Sequence, residues 1–476
     1  MPDTKTFDFK ANIAKALADK QLRKNLKSAM DGLRVKRRAV FDDAEELAVL
    51  RAQGEAIKQR ALSRLPDLLV QLEAKCTANG IKVHWAATVE EANHIVLNIM
   101  RQHGADLLVK GKSMVSEEMG LNHFLEDQGL EVLETDLGEF IIQLAGEPPS
   151  HIIVPAVHKN KDQIASIFQE KIPDTPYTED VDELNAIARK TLRQKFYQGQ
   201  VGLSGVNFAV AETGTLCLVE NEGNGRMCTT VPPVHIAVMG LEKVVEKLEE
   251  VPPLLRLLTG SATGQRITTY FNMITSPRRP GEKDGPHEVH LLILDNGRSV
   301  ILNDPELRRS LQCIRCGTCL NHCPVYVRIG GHAYGFVYPG PIGEVITPQF
   351  EGLEKAGELA SASSLCQACG EVCPVQIPLP DLIRRMRREG VGQGADCCVK
   401  GHGTKRKPLE SLAWKAWALL NTKPKLNALN NRVLSKIGNR LPKLGPLAAW
   451  TTGRTAPPFA PKSLHQLADE EGLPHD

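Results

Sequence analysis

The sequence predicts an α/β domain with a mostly parallel sheet, followed by a helical domain organised around cysteines. Three observations lead there. Between about residues 67 and 297, short β-branched runs alternate with stretches of helical period, the pattern of βαβ units. From about 298 the strand-like runs stop and Gly and Pro become frequent. Seven of the twelve cysteines then fall between 313 and 373. At 476 residues the chain is long enough for two or three domains, each with its own core.

Residues 1–66 read as a helical N-terminal extension. Phe9, Ile13, Leu17, Leu22, Leu26, Met30 and Leu33 recur near helical spacing, and "DDAEELAVL" begins another helix with acids in its first turn. The basic run "LRVKRR" reads as a solvated face. Within 67–297, "IKVHWA" is a predicted strand. "TVEEANHIVLNIMRQHG" is a helix opened by a Thr88/Glu91 capping box and closed by Gly104, and "DLLVKGKS" is the next strand. "EVLETD", "HIIVPA", "VNFAVAETGTLCLVE", "VHIAVMG" and "EVHLLILD" are further strand candidates. In the third segment, 298–392, "PELRRSLQCIRCG" and "PLPDLIRRMRREG" read as helical on either side of the cysteines.

Residues 393–476 read as a basic helical tail, with Leu426, Leu429, Val433, Ile437 and Leu441 at helical spacing. Between 399 and 454 twelve Lys or Arg stand against one acid, Glu410, together with Trp414, Trp417 and Trp450. If this tail docks, an acidic partner or an anionic membrane surface suits it better than nucleic acid, because aromatic residues are not interleaved along a broad basic surface. The whole chain has a net charge of only +2, so bulk charge selects no partner. No run approaches the roughly 20 apolar residues that cross a bilayer, and the first residues lack a signal-peptide core. A cytoplasmic location is expected, where clustered cysteines serve metal ligation rather than disulfides.

"CIRCGTCLNHCP" spaces Cys313, Cys316, Cys319 and Cys323 as C-x-x-C-x-x-C-x-x-x-C-P. Two-residue spacers let successive thiolates reach three irons of one cubane while backbone N–H groups face its sulfides. Gly317 stands where the turn is tightest, and Pro324 can begin the departing segment. Zinc, the competing metal, usually takes paired cysteines from two separate C-x-x-C units. "CQACGEVCP" adds Cys366, Cys369 and Cys373. In two-cluster ferredoxins the fourth cysteine of each motif ligates the other cluster. That crossing assigns one cluster to Cys313, Cys316, Cys319 and Cys373, and the other to Cys323, Cys366 and Cys369. Ser363 stands where an eighth cysteine would, with Ser361 and Ser364 beside it. Three thiolates match a 3Fe-4S cluster, or a 4Fe-4S cluster whose fourth iron takes a hydroxyl, a water or a partner's ligand. Cys76, Cys217 and Cys228 read as packing residues. Cys397 and Cys398 are further candidates for the missing ligand.

The segments "CIRCGTCLNHCPVYVRIGGHAYGFVYPGPIGEVITP" and "ASSLCQACGEVCPVQIPLPDLI" resemble the lactate-utilisation protein B family, iron-sulfur proteins of a bacterial L-lactate oxidation system. The likeness extends over nearly the whole chain. It implies an α/β domain similar to sugar-phosphate isomerases and CoA transferases, then a helical two-cluster ferredoxin domain. It also implies two 4Fe-4S clusters on the seven cysteines, and partner proteins A and C of the same system. The second cluster, with three cysteines, is expected to become 3Fe-4S on oxidation.

In the α/β domain, Gly-rich segments at strand ends offer backbone N–H groups to an anionic ligand. "VKGKSM" supplies Lys110, Lys112 and Ser113 but lacks the first glycine of a P-loop. "AETGTL", "ENEGNGR" and "TGSATGQ" supply Glu212, Thr213, Gly214, Glu222, Asn224 and Arg226. The alternative is that these glycines merely turn the chain. No G-x-G-x-x-G follows a strand, so no nicotinamide or flavin site is expected. Lactate oxidation commonly delivers hydride to an organic cofactor, whereas iron-sulfur clusters pass single electrons. The expected function is therefore an electron-transfer subunit of an L-lactate oxidising complex, with the small carboxylate substrate handled on a partner or at an interface. The competing reading is an enzyme whose α/β domain itself acts on a carboxylate or phosphate and uses the clusters as electron outlet; a redox-sensing regulator is a third. His158 and His332 are conceivable bases.

Overall fold

The computed structural model describes residues 8–392, 408–440, 448, 451 and 458–472. The chain divides into two compact units, 1–403 and 404–476. In the first, helices Phe9–Ala18, Lys20–Val40, Ala44–Ser63 and Leu65–Ala78 precede any strand. Asp8, Asp19 and Asp43 start three of them by accepting hydrogen bonds from first-turn amides. This run is not an appendage. Leu26 and Met30 are fully buried, and Arg34 and Arg37, expected on a solvated face, donate to the carbonyls of Asn321 (2.6 Å) and Val372 (3.3 Å). The correction has a plain cause: 3₁₀ and short helical turns around the cysteines leave carbonyls without helical partners, and arginine reaches them.

Among the described residues, ten strands follow: β1 (Lys82–Ala86), β2 (Leu107–Lys110), β3 (Glu131–Glu134), β4 (Val201–Gly205), β5 (Phe208–Val210), β6 (Thr215–Glu220), β7 (Val234–Gly240), β8 (Val244–Val245), β9 (Tyr270–Ile274) and β10 (Glu288–Leu294). The first sheet has the order β1-β10-β7-β4-β2-β3 and is parallel throughout. Val201 pairs with Val234, and Glu288 with Val234 on the other side, so β7 lies inside with every residue buried. A continuous apolar run is what a strand covered on both faces requires. The second sheet, β8-β5-β6-β9, is mixed: β5 pairs with β8 parallel, and the other pairs are antiparallel. "VNFAVAETGTLCLVE" is thus a hairpin rather than one strand. The helix Val89–Gln102 starts at Thr88 as expected, but Glu91 accepts from the Ala87 amide instead of closing the box on Thr88.

"HIIVPA" forms no strand. The buried His151 ring accepts from the amides of Ile153 (3.1 Å) and Val154 (3.2 Å), and Ser150 donates to the Pro155 carbonyl, so a side chain and a local turn take the bonds a sheet would have offered. At Gly331 an added Cβ would lie 1.9 Å from the Ser150 oxygen, because this backbone presses directly on the 150s segment, and Gly330 before it takes a φ of 68°, which together explain the glycine pair of "IGGHAYG".

The cysteine region contains a structural repeat. The 3₁₀ turns Leu307–Gln312 and Gly357–Ala362 precede it, and the helices Thr318–His322 and Ala368–Val372 follow, each pair fifty residues apart. Arg315 (φ 61°) and Leu365 (φ 53°), then Gly317 (φ 71°) and Gln367 (φ 69°), adopt the same left-handed conformations. The flanking helix Leu379–Gly390 is tied back through Arg385 to Asp304 (2.5 Å).

The second unit contains the helices Pro408–Thr422 and Pro424–Ile437, neither with a buried residue. Trp414 and Trp417 meet edge to face at 5.8 Å and remain exposed. Leu441 and Trp450 lie outside the described residues, as do Cys397 and Cys398. Among the described residues, no helix is long and apolar enough to cross a membrane.

His235 on β7 supports a prediction about acid. Its ring is buried, Nε2 lies 2.9 Å from Ser204 Oγ, and burial together with His290 pulls its pKa down to about 3. An unfolded histidine binds a proton near pH 6.5. Between those values the unfolded chain binds more protons, so this contribution to stability is complete above pH 6.5 and is lost as pH falls toward 3. Thermal unfolding at pH 7 and pH 5 should show a smaller acid-induced drop for His235→Gln than for the unaltered protein.

Candidate metal centres

Cys313, Cys316, Cys319 and Cys373 line one small cavity, together with Ile152, Gly317 and Ile342. Three of the four are buried, and Cys313 is half-buried. The loops aim amides at sulfur: Arg315 N–H at Cys313 Sγ (3.4 Å) and Ile377 N–H at Cys373 Sγ (3.3 Å). Burial pushes the Cys373 thiol up to about 11 and the Cys316 and Cys319 thiols higher still. Such thiols stay protonated unless a cation displaces the proton. Four converging sulfurs with N–H donors therefore fit an iron-sulfur cluster.

Fixed positive charge surrounds this cavity. Lys58, Lys243 and Arg315 are buried beside Cys313. Burial lowers both lysines to about 8, with the Glu242 and Cys313 charges acting in the opposite direction. Lys58 Nζ donates to the Glu242 carbonyl at 2.5 Å, and the Glu242 carboxylate accepts from Arg298 (2.7 Å) and Arg315 (3.3 Å). Arg298 also makes a two-pronged contact with Glu118, both bonds at 2.8 Å. Glu242 follows β7 and Arg298 follows β10, so the cysteine loop lies against the C-terminal ends of the parallel strands. Arg51 donates to the Cys373 carbonyl at 2.9 Å. Neighbouring cations stabilise the more negative, reduced form of a cluster and raise its potential.

The remaining three cysteines differ in setting. Cys323 and Cys369 are buried, with thiols raised to about 12 by burial and by the field of the buried Glu344. Tyr326 N–H points at Cys323 Sγ (3.4 Å). Cys366 is exposed and borders an open groove of about 930 Å³ lined by Lys20, Arg23, Lys24, Lys27, Arg34 and Arg328, with Asp31 pairing Lys27 (2.5 Å) and Arg34 (3.2 Å). No linear motif announced that groove. Its lysines lie on the helix Lys20–Val40, more than 300 residues from Cys366 in sequence.

The α/β candidates are dispersed. Lys110 is fully buried between Glu117 (2.8 Å) and Glu134 (2.5 Å). Lys112 donates to the Ile153 carbonyl, and Ser113 caps its own short helix. Glu212, Thr213 and Gly214 form the β5–β6 turn, where Asn79 holds the Thr213 carbonyl at 2.9 Å. At Asn224–Arg226, the Gly225 and Arg226 amides already hold the Glu220 carboxylate at 2.8 and 2.7 Å, filling the place an anion would take. Asn224 reaches Thr135 at 3.3 Å. Glu222 donates no charge freely: burial and Asp136 raise it to about 7. His158 and His332 come together with ring centroids 4.5 Å apart, beside Glu147, which lies 2.7 Å from His158 Nε2. Burial and His332 lower His158 to about 4.

Sequence reading missed Lys58, Glu242, Lys243 and Arg298. For Glu242, Lys243 and Arg298 the only signal was polar residues soon after the apolar runs "VHIAVMG" and "LLILD", at the strand ends where open sheets bind ligands, and Lys58, on the helix Ala44–Ser63, gave none.

Residues 69–294 match the LUD domain, 309–377 a 4Fe-4S dicluster domain, and 385–473 the C-terminal region of lactate utilisation protein B. Lactate utilization protein B of Bacillus velezensis is 41% identical over 460 residues, covering 95% of this chain and 94% of that one. The Bacillus licheniformis protein of the same name is 42% identical over 461 residues, covering 95% and 94%. The "Uncharacterized electron transport protein YkgF" of Escherichia coli K12 is 46% identical over 389 residues, 81% of each chain.

Proposed function

This chain belongs to the lactate utilisation protein B family, and from that membership we propose that it is the iron-sulfur electron-transfer subunit of a cytoplasmic complex oxidising L-lactate to pyruvate. Its partners in this reading are proteins A and C of the lactate-utilisation system. The α/β domain, spanning about 67–297, is taken as isomerase/CoA-transferase-like, and 298–392 as a helical two-cluster ferredoxin domain. Cys313, Cys316, Cys319 and Cys373 would hold one 4Fe-4S cluster, and Cys323, Cys366 and Cys369 the other. When bound, the clusters supply one-electron transfer.

The observation that carries the reading is the contrast between the two cysteine sets. One is enclosed against the strand ends and ringed by Lys58, Lys243, Arg315 and Arg51. The other reaches the surface at Cys366. The protein's own residues thus shield Cys316, Cys319 and Cys373 of the inner set from water and offer the outer set to an exchange partner. Hydride chemistry has no organic cofactor motif here, which favours the wire over the enzyme. The enzymatic alternative draws on Lys112, Ser113 and Glu222 near the strand ends. Purified protein given lactate and an artificial acceptor separates the two: no turnover is expected without partners, and turnover would favour the alternative.

The groove supports a second measurable expectation. Its cations should steer an acidic redox protein toward Cys366. Lys20→Glu combined with Lys24→Glu should slow electron exchange with a small acidic ferredoxin by about tenfold at low salt and flatten the salt dependence. Exchange with a neutral small-molecule carrier should be unchanged. Equal ferredoxin rates in variant and parent would remove the groove from the docking path.

A further inference from the structure

We infer that Ser363 is the fourth ligand of the cluster held by Cys323, Cys366 and Cys369, an oxygen donor in the place where the other motif uses Cys313. The inference rests on the two-cluster reading above and adds to it the identity of the atom on the fourth iron. Its basis is the backbone repeat rather than the spacing. Ser363 (φ −62°, ψ 138°) follows the 3₁₀ turn Gly357–Ala362 as Cys313 (φ −59°, ψ 120°) follows Leu307–Gln312. Two residues later both chains turn left-handed, at Leu365 and Arg315, and two residues after that they do so again. Leucine and glutamine gain nothing from a positive φ, and Gln367 occupies the site that Gly317 fills in the first motif. Adopting that conformation at both positions costs free energy that a merely vestigial loop would not retain.

The side chains repeat as well. Arg315 N–H points at Cys313 Sγ at 3.4 Å, and Leu365 N–H points at Ser363 Oγ at 3.1 Å. The Ser363 oxygen therefore occupies the position of the thiolate sulfur in the same amide-lined loop. The loop is anchored from behind: Arg387 donates to the Ala360 carbonyl at 2.8 Å and to the Ser363 carbonyl. Cys323 and Cys373, which close the two motifs, likewise stand fifty residues apart. Each is followed by a backbone amide aimed at its sulfur, from Tyr326 and Ile377.

Ligation requires the hydroxyl proton to leave to solvent as the Fe–O bond forms, which a bound cation favours. Ferricyanide reverses it: the cluster loses one electron, a ferrous ion departs, the Fe–O bond breaks, and the serine oxygen regains a proton from water. The product is a 3Fe-4S cluster with its own paramagnetic signal.

The experiment follows that signal in the anaerobically purified full chain under limited ferricyanide, with Mössbauer spectra of the starting protein. Wild type should show one iron of the second cluster with oxygen-type parameters. Ser363→Ala should form the 3Fe-4S signal at least about tenfold faster, since loss of even an outer-shell partner costs that much in metal affinity. Ser363→Cys should resist conversion and lose the distinct iron. If Ser363→Ala assembles no second cluster, its restoration in Ser363→Cys supports ligation, and failure of both variants overturns it. Equal conversion in Ser363→Ala and wild type overturns the inference. So does release of the iron by Glu344→Ala alone, which would give the ligand role to the buried carboxylate beside Cys323 and Cys369. Iron analysis finding a single cluster in wild type would instead remove the two-cluster reading on which the inference stands, and the inference with it.

Discussion

Under the proposed crossed assignment, Cys373→Ser should abolish the cluster assigned to Cys313, Cys316 and Cys319 and spare the one assigned to Cys323, Cys366 and Cys369, although Cys373 belongs by sequence to the second motif. The cavity that the first three thiols line is closed by Cys373 and by Pro374 and Val375 behind it. Arg51 and the Ile377 amide fix the Cys373 backbone and sulfur. A serine there offers a protonated hydroxyl inside a buried site in place of a thiolate. Bound iron should fall by about half, as expected when one of two cubanes is lost. The remaining cluster should keep the reduced-state paramagnetic spectrum of the second site. Cys369→Ser should give the reciprocal result. If Cys373→Ser removed the second cluster and left the first, the crossed assignment would be wrong.

Glu242→Gln should be strongly destabilising. The carboxylate is buried, and although burial pushes its pKa up, Arg298, Arg315 and Lys243 hold it down to about 2. It is the common counter-charge of Arg298 and Arg315, and its carbonyl receives Lys58. Glutamine keeps the shape and one acceptor but leaves a cluster of buried cations short of one negative charge. Removing one partner of a buried ion pair costs about 3–5 kcal/mol. Chemical denaturation of the cluster-loaded protein should show that loss, while Glu249→Gln, at an exposed position, should stay within about 0.5 kcal/mol. A second readout separates electrostatics from packing. The charge lost lies beside Cys313, so the potential of that cluster should rise in Glu242→Gln. Unchanged stability and potential would mean that Glu118 alone balances the network.

The cysteine motifs were legible because cluster ligation writes itself in local spacing: two-residue gaps are a consequence of how tightly a chain must turn around irons. The parallel strands were legible for a similar reason, since burial on both faces requires apolar runs such as "VHIAVMG". "HIIVPA" has the same composition yet forms no strand, because its hydrogen bonds are taken by the His151 ring and a local turn. Composition cannot report where a backbone donor finds its acceptor. "LRVKRR" misled in the opposite sense: Arg34 and Arg37 have long stems that lie half-buried while their guanidinium groups cap distant carbonyls.

By itself the sequence determined the iron-sulfur theme, the place of the cysteine motifs in the chain, the α/β-then-helical order and the family. Each of these depends on residue type and short-range spacing. Only the tertiary structure decided which charges accompany each cysteine set: Lys58, Glu242, Lys243, Arg298 and Arg51 at the inner one, and the lysines of the helix Lys20–Val40 at the outer. It also decided that Ser363 occupies the backbone position of Cys313. The physical reason is range. Ligand spacing is set by turns of a few residues, whereas electrostatic fields act through space over several ångströms, between groups that folding alone brings from opposite ends of the chain.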